Sequence, residues 1–143
     1  MNETVNGFEL NEEHFPWHLF PKDMPVVGDM SSNIATRTIN WDRFSVVYAG
    51  AQKNMGPSGC AIIIVKKSLM GHMQKDTPIM CDWKAFENAP GTYYNTPPCW
   101  AIYVTALNAK YMNEMGGLTH YENIANIKSK MLYDLIDNSG GYF

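Results

Sequence analysis

A chain of 143 residues in which 45% are apolar has the length and composition to bury one core, which excludes a wholly disordered protein. Its net charge of -3, from 11 basic and 14 acidic residues of dispersed sign, leaves no basic patch for nucleic acid and no polybasic membrane anchor. Cys60, Cys81 and Cys99 form neither a CxxC pair nor a metal-ligand spacing, and their odd number does not suggest a complete disulfide framework. A reduced, cytoplasmic setting is therefore expected. No apolar stretch has membrane-spanning length, the N-terminus lacks the regions of a signal peptide, and no repeat or low-complexity tract is visible.

In chain order, Met1 to Leu10 carries strand-like residues broken by the turn signal Asn6-Gly7. Asn11 to Met24 has no helical or strand period and reads as a loop with a partly buried aromatic patch around Phe15, Trp17 and Phe20. His14 and His18 stand four apart, but Pro16 between them argues against a helix, and no further ligand completes a metal site. Pro25 to Gly28 reads as a short strand that ends at Asp29, by itself an ordinary turn or cap residue.

Two runs of strand length follow. Phe44 to Ala49 and Cys60 to Val65 are both apolar and rich in β-branched residues, the pattern of strands covered on two faces in a sheet flanked by helices. The link between them contains Gly50, Gly56, Pro57 and Gly59, which allow sharp turns and close approach to a ligand. It also contains Lys53. A lysine at a sheet edge, partly enclosed by neighbours, loses its proton more readily than a surface lysine, and an imine-forming lysine needs that property. The plain alternative is a solvated turn residue. Asp29 and Lys53 fall on consecutive strands, so their side chains are expected to converge where open α/β sheets place ligands.

Lys66 and Lys67 read as a solvated strand end, and Gly71 to Gly91 as an irregular stretch whose methionines and Trp83 pack against the sheet. Thr96 and Pro97 suit the N-cap and first position of a helix, whose free backbone donors attract phosphate. That helix places Trp100, Tyr103, Val104, Leu107, Tyr111 and Met115 on one face and closes at Gly116-Gly117. A second helix is expected to open at Thr119, with Glu122 completing a capping box. Its apolar stripe of Ile124, Ile127, Met131 and Leu135 runs to the break at Asn138 to Gly141. Both stripes are read as core packing.

The stretch Tyr48 to Gly59, YAGAQKNMGPSG, resembles the cofactor-lysine segment of the phosphoserine aminotransferases, a family of class V pyridoxal-phosphate enzymes. Gly28 to Asn33, GDMSSN, and Tyr94 to Pro98, YNTPP, resemble the same family in the same order. The likeness runs from Asn2 to about Asn138, yet covers less than half of a complete family member, as a middle segment would. It implies an α/β fold, the mostly parallel sheet with flanking helices of a fold-type-I large domain over residues 1–118. Residues 119–143 would be a linking helix and the start of the small domain.

The resemblance also implies a chemistry. Lys53 would carry pyridoxal 5'-phosphate and shuttle a proton, and Asp29 would pair with the cofactor's ring nitrogen. Thr4 and Gln52 would contact the cofactor, and Asn95 and Thr96 would reach the neighbouring subunit's cofactor phosphate in a homodimer. The implied reaction exchanges the amino group of O-phosphoserine with 2-oxoglutarate in serine biosynthesis. Arg37 and Arg43 are the only two arginines, too few to grip both anionic ends of such a substrate. A second reading is therefore an inactive fragment that keeps part of the cofactor site or the dimer surface. A third, a cysteine desulfurase, is weaker because no cysteine sits on a flexible polar loop.

Overall fold

A computed structural model describes residues 15–89 and 93–143. The expectations for Met1 to Leu10, for Thr4 and for His14 lie outside the described residues.

Three strands form the sheet, in the order β1 (Val27–Asp29), β2 (Val46–Gly50), β3 (Ala61–Val65). β1 runs parallel to β2, with Val27 opposite Val46 and Asp29 opposite Tyr48. β3 runs antiparallel to β2, with Val46 opposite Val65 and Gly50 opposite Ala61. The described sheet is thus mixed, with one parallel and one antiparallel pair, as in an α/β segment of a fold-type-I domain. A parallel crossover needs a dozen or more linking residues, and the link from Ala51 to Cys60 is too short to provide one. It closes instead as a hairpin loop, tied by Ala51 N to Cys60 O at 3.1 Å.

The core lies on one side of β2. Val47 and Ala49 point into it with Met30, Ile34, Ile39 and Phe44, and Trp17, Val26, Met55 and Ile62 pack around them. This side is covered by the loop segments on either side of β1. The aromatic patch expected before β1 is present: Trp17 meets Phe44 edge to face at 5.9 Å and Phe15 stacks on Phe20 at 5.5 Å. Arg43 lies over the Trp17 ring at 5.3 Å. β3 departs from the expected burial, since Ile63 is 51% exposed and Ile64 is also open, so the described residues do not cover it on both faces.

Residues 71–89 are less irregular than expected. A 3-10 turn at Ile79–Cys81 leads into α1 (Trp83–Glu87), where the Asp82 carboxylate caps the start by accepting from Lys84 N at 3.0 Å. Met73 and Met80 are exposed rather than packed on the sheet.

The two long helices are α2 (Cys99–Glu114) and α3 (Gly117–Asp137). α2 begins two residues later than the sequence suggests. Pro98 holds the N-cap position, and the steric demand of its ring disfavours helical backbone at Pro97. Thr96 therefore caps nothing. α3 begins earlier, at Gly117, after Gly116 reverses the chain at φ 109°, so Thr119 lies inside the first turn and no capping box forms. The apolar stripes are not core: only Ala101 and Met112 of α2 are buried, and no residue of α3 is. Trp100 is 73% exposed, and Tyr103, Leu107, Tyr111, Ile127, Met131 and Leu135 are exposed with it. No described helix is long and apolar enough to cross a membrane.

Candidate cofactor site

The parallel pairing of β1 with β2 brings the carboxyl ends of both strands to one edge of the sheet. Asp29 is the last residue of β1, and Lys53 lies three residues past the last residue of β2. Beyond the strands the pairing continues, first through Met30 N to Tyr48 O at 2.8 Å and then through a side chain. The Ser31 hydroxyl accepts from Gly50 N at 3.0 Å and donates to Asp29 Oδ1 at 2.7 Å. Ser31 N donates to the same oxygen at 3.0 Å. Asp29 is thereby held in a fixed orientation by two donors, and one of them is itself tied to the end of β2.

Lys53 is joined to the same loop. Its Nζ donates to Ser32 Oγ at 3.1 Å. The following residue, Asn54, donates through Nδ2 to Ile34 O at 2.6 Å. The turn after β1 and the turn after β2 are therefore linked three times, through Ser31, Ser32 and Asn54. Asn33, 7% exposed in the same turn, keeps a buried Oδ1 with no hydrogen-bond partner among the described residues. One expectation is corrected: Lys53 is exposed, so the described residues do not supply the enclosure foreseen for its amine.

The lysine turn has its own scaffold. Met55 N and Gly56 N both donate to Ala51 O, at 3.0 and 2.8 Å, and fold residues 51–56 tightly. Gln52 is exposed, and its side-chain amide lies over Gly50, where an added Cβ would come within 2.5 Å of Oε1. On its far side the turn leans on α2. An added Cβ at Gly56 would come within 2.5 Å of Thr105 Oγ1 and 3.1 Å of Thr105 Cα, so only glycine permits this approach. Asn108 Nδ2 donates to the carbonyls of Asn54 and Met55 at 3.1 and 3.0 Å. Sequence reasoning passed over Asn108. An asparagine inside a helix is a poor choice for helix stability alone, and that was the available signal.

Asn95 and Thr96 are exposed ahead of α2, and the structure does not join them by a hydrogen bond to the Asp29 and Lys53 group among the described residues. Arg43 is turned to Trp17. No group of three or more His, Cys, Asp or Glu side chains is arranged to hold a metal among the described residues.

The α/β segment thus fixes a carboxylate and presents a primary amine at adjacent strand ends. The chain belongs to the class-V aminotransferase family, whose profile matches residues 1–143. It is 42% identical over 142 residues to the phosphoserine aminotransferase of Pseudomonas syringae pv. tomato, covering 99% of this chain and 37% of that protein. It is 41% identical to the chloroplastic phosphoserine aminotransferase 1 of Arabidopsis thaliana, again over 99% of this chain but 32% of the relative. Among solved structures, the phosphoserine aminotransferase of Bacillus circulans subsp. alkalophilus superposes with a TM-score of 0.79 at 39% identity, covering 86% of this chain and 34% of that one. A phosphoserine aminotransferase from Trichomonas vaginalis, with pyridoxal phosphate bound, superposes with a TM-score of 0.74 at 34% identity, covering 82% of this chain and 33% of that one. The chain thus spans about a third of the length of the proteins it matches.

Proposed function

We propose that this chain forms part of the cofactor site of a phosphoserine transaminase, with Lys53 as the residue that binds pyridoxal phosphate. The observation that carries the reading is the joint fixing of Asp29 and Lys53 by one serine pair, Ser31 and Ser32, at adjacent strand ends. The donor set fits the cofactor: an amine for its aldehyde carbon, a carboxylate for its ring nitrogen and hydroxyls between them. When bound, pyridoxal phosphate supplies an electron sink that makes the bond from the substrate's alpha carbon to hydrogen breakable.

The chain's residues perform the remaining tasks. Lys53 Nζ would hold the cofactor through its aldehyde carbon and, when free, would serve as the general base that takes and returns a proton. Asp29, its Oδ1 oriented by Ser31, would present its carboxylate to the cofactor's ring nitrogen and favour a proton there. Gln52, next to Lys53 in the chain, would donate to the cofactor phosphate. Thr4 is assigned to the same site by resemblance alone. Asn95 and Thr96, exposed ahead of α2, are assigned to the site of a second subunit in a homodimer. We further propose that α3 leads from the large domain into a small one.

The substrates proposed are O-phosphoserine with 2-oxoglutarate, and 3-phosphohydroxypyruvate with glutamate. The relatives' names and the 42% identity support this choice. The alternative, an inactive segment that keeps part of the site, is favoured by the exposure of Lys53 and by the open helix faces. Amino transfer from O-phosphoserine to 2-oxoglutarate, followed as glutamate formed, separates the two. Transfer that Lys53→Ala abolishes supports the enzyme. Cofactor bound at Lys53 without transfer supports the inactive segment, and no cofactor at Lys53 contradicts the proposed site itself.

A further inference from the structure

We infer that Asn108, in the middle of α2, is a positioning residue for Lys53, which it controls by clamping the turn that carries the lysine. The inference rests on the cofactor role proposed above for Lys53. Three observations support it. First, the Asn108 amide donates to the carbonyls of the two residues that follow Lys53, Asn54 at 3.1 Å and Met55 at 3.0 Å. Second, the same turn makes a glycine-only contact with α2 about one turn of helix earlier, where Gly56 faces Thr105. Third, Asn54 continues the chain of bonds to Ile34 O at 2.6 Å, in the loop that holds Asp29 and Ser32.

The line α2, lysine turn, β1 loop is thus a continuous set of hydrogen bonds running from Asn108 through Asn54 to Ile34. Lys53 is exposed and its Nζ is bonded to Ser32. Its amine is therefore placed by the backbone of its turn more than by packing around its side chain. That backbone is held from outside by the side-chain amide of Asn108. An asparagine here costs helix propensity relative to leucine or alanine, and its amide is committed to loop carbonyls and, at 3.6 Å, to Met112 Sδ. Stability of α2 alone does not account for it.

The test compares wild type, Asn108→Leu and Asn108→Ala with Ile39→Val, a core change at 6% exposure that removes no hydrogen-bond donor. Leucine keeps the branched shape of asparagine and favours helix, so it removes the donors without weakening α2, and alanine does the same without added bulk. Two quantities are read: the pyridoxal phosphate concentration that half-saturates borohydride-fixed label on Lys53, and amide hydrogen exchange at Met55 and Gly56. Loss of two backbone-directed bonds, each a modest net contribution, predicts a rise of about tenfold in both for the two Asn108 variants. Exchange in β2 and β3 stays at the wild-type rate in Asn108→Leu. Ile39→Val lowers the thermal midpoint but leaves Lys53 labelling within about twofold, since it removes one methylene and none of the bonds that hold the turn. Wild-type label on Lys53 with unchanged half-saturation in both Asn108 variants overturns the positioning role alone. Absence of specific label on wild-type Lys53 overturns the cofactor reading and the inference with it.

Discussion

Gly56→Ala probes how closely the lysine turn is seated on α2. A methyl group there meets Thr105 Oγ1 at 2.5 Å, Thr105 Cα at 3.1 Å and Thr105 Cβ at 3.3 Å. The hydroxyl can rotate away, but the Cα belongs to the helix backbone and cannot move alone. Overpacking of this kind costs about 1–3 kcal/mol. With a urea dependence of about 2 kcal/mol per molar for a chain of this size, a cost near the middle of that range lowers the unfolding midpoint by about 1 M. Removing the threonine hydroxyl and methyl in Thr105→Ala relieves the shortest contact and leaves the 3.1 Å contact in place. The double variant Gly56→Ala with Thr105→Ala should therefore recover part of the loss, with a coupling of about 0.5–1.5 kcal/mol. The assay is equilibrium urea unfolding of the four proteins in the cycle. A midpoint for Gly56→Ala equal to wild type, or strict additivity in the double variant, refutes the close seating on which the site's geometry depends.

Further outcomes follow from individual contacts. Ser31→Ala removes the hydroxyl that links Asp29 Oδ1 to Gly50 N and should weaken pyridoxal phosphate binding by roughly tenfold, while Ser31→Thr, which keeps the hydroxyl, stays close to wild type in the same titration. Ala35 holds φ at 60°, so Ala35→Gly relieves left-handed strain and should raise the urea-derived stability by up to about 1 kcal/mol; a lowered value would contradict that assignment of strain. The hydrogen bond from Lys84, aided by the charges of Lys84 and Lys67, lowers the pKa of Glu87 below its ordinary value. Its folded pKa lies below its unfolded one, so its contribution to α1 is complete above the unfolded pKa and disappears as pH falls through the folded pKa. Lys84→Ala should move the Glu87 titration upward in carboxyl-carbon NMR, and an unmoved midpoint would discount the Lys84 contact.

The placement of Asp29 and Lys53 at one sheet edge was legible because local chemistry was sufficient for it. Asp29 and Lys53 each stand at the end of an apolar run, and a parallel neighbour pair carries both to one edge whatever covers the sheet. The direction of β3 follows from the link from Ala51 to Cys60, which is too short for a parallel crossover. Helix starts failed through competition between neighbours: Pro98 overrode the cap expected of Thr96, and Gly116 opened α3 before Thr119 could cap it. The stripes on α2 and α3 obey the helical period yet stay exposed, since periodicity marks which residues share a face and says nothing of what meets it. Asn108 was missed for a related reason. Its partners, Asn54 and Met55, lie more than fifty residues away, and no local pattern announces a bond of that span.

Lys53 is proposed above as the cofactor lysine of this chain. Incubation with pyridoxal phosphate, borohydride reduction and peptide mapping addresses it directly, because every one of the chain's lysines competes for the label. Label concentrated on Lys53, saturating with cofactor and weakened in Asp29→Asn, is the predicted result. Label spread across Lys66, Lys67 and the other exposed lysines, indifferent to Asp29, would contradict it.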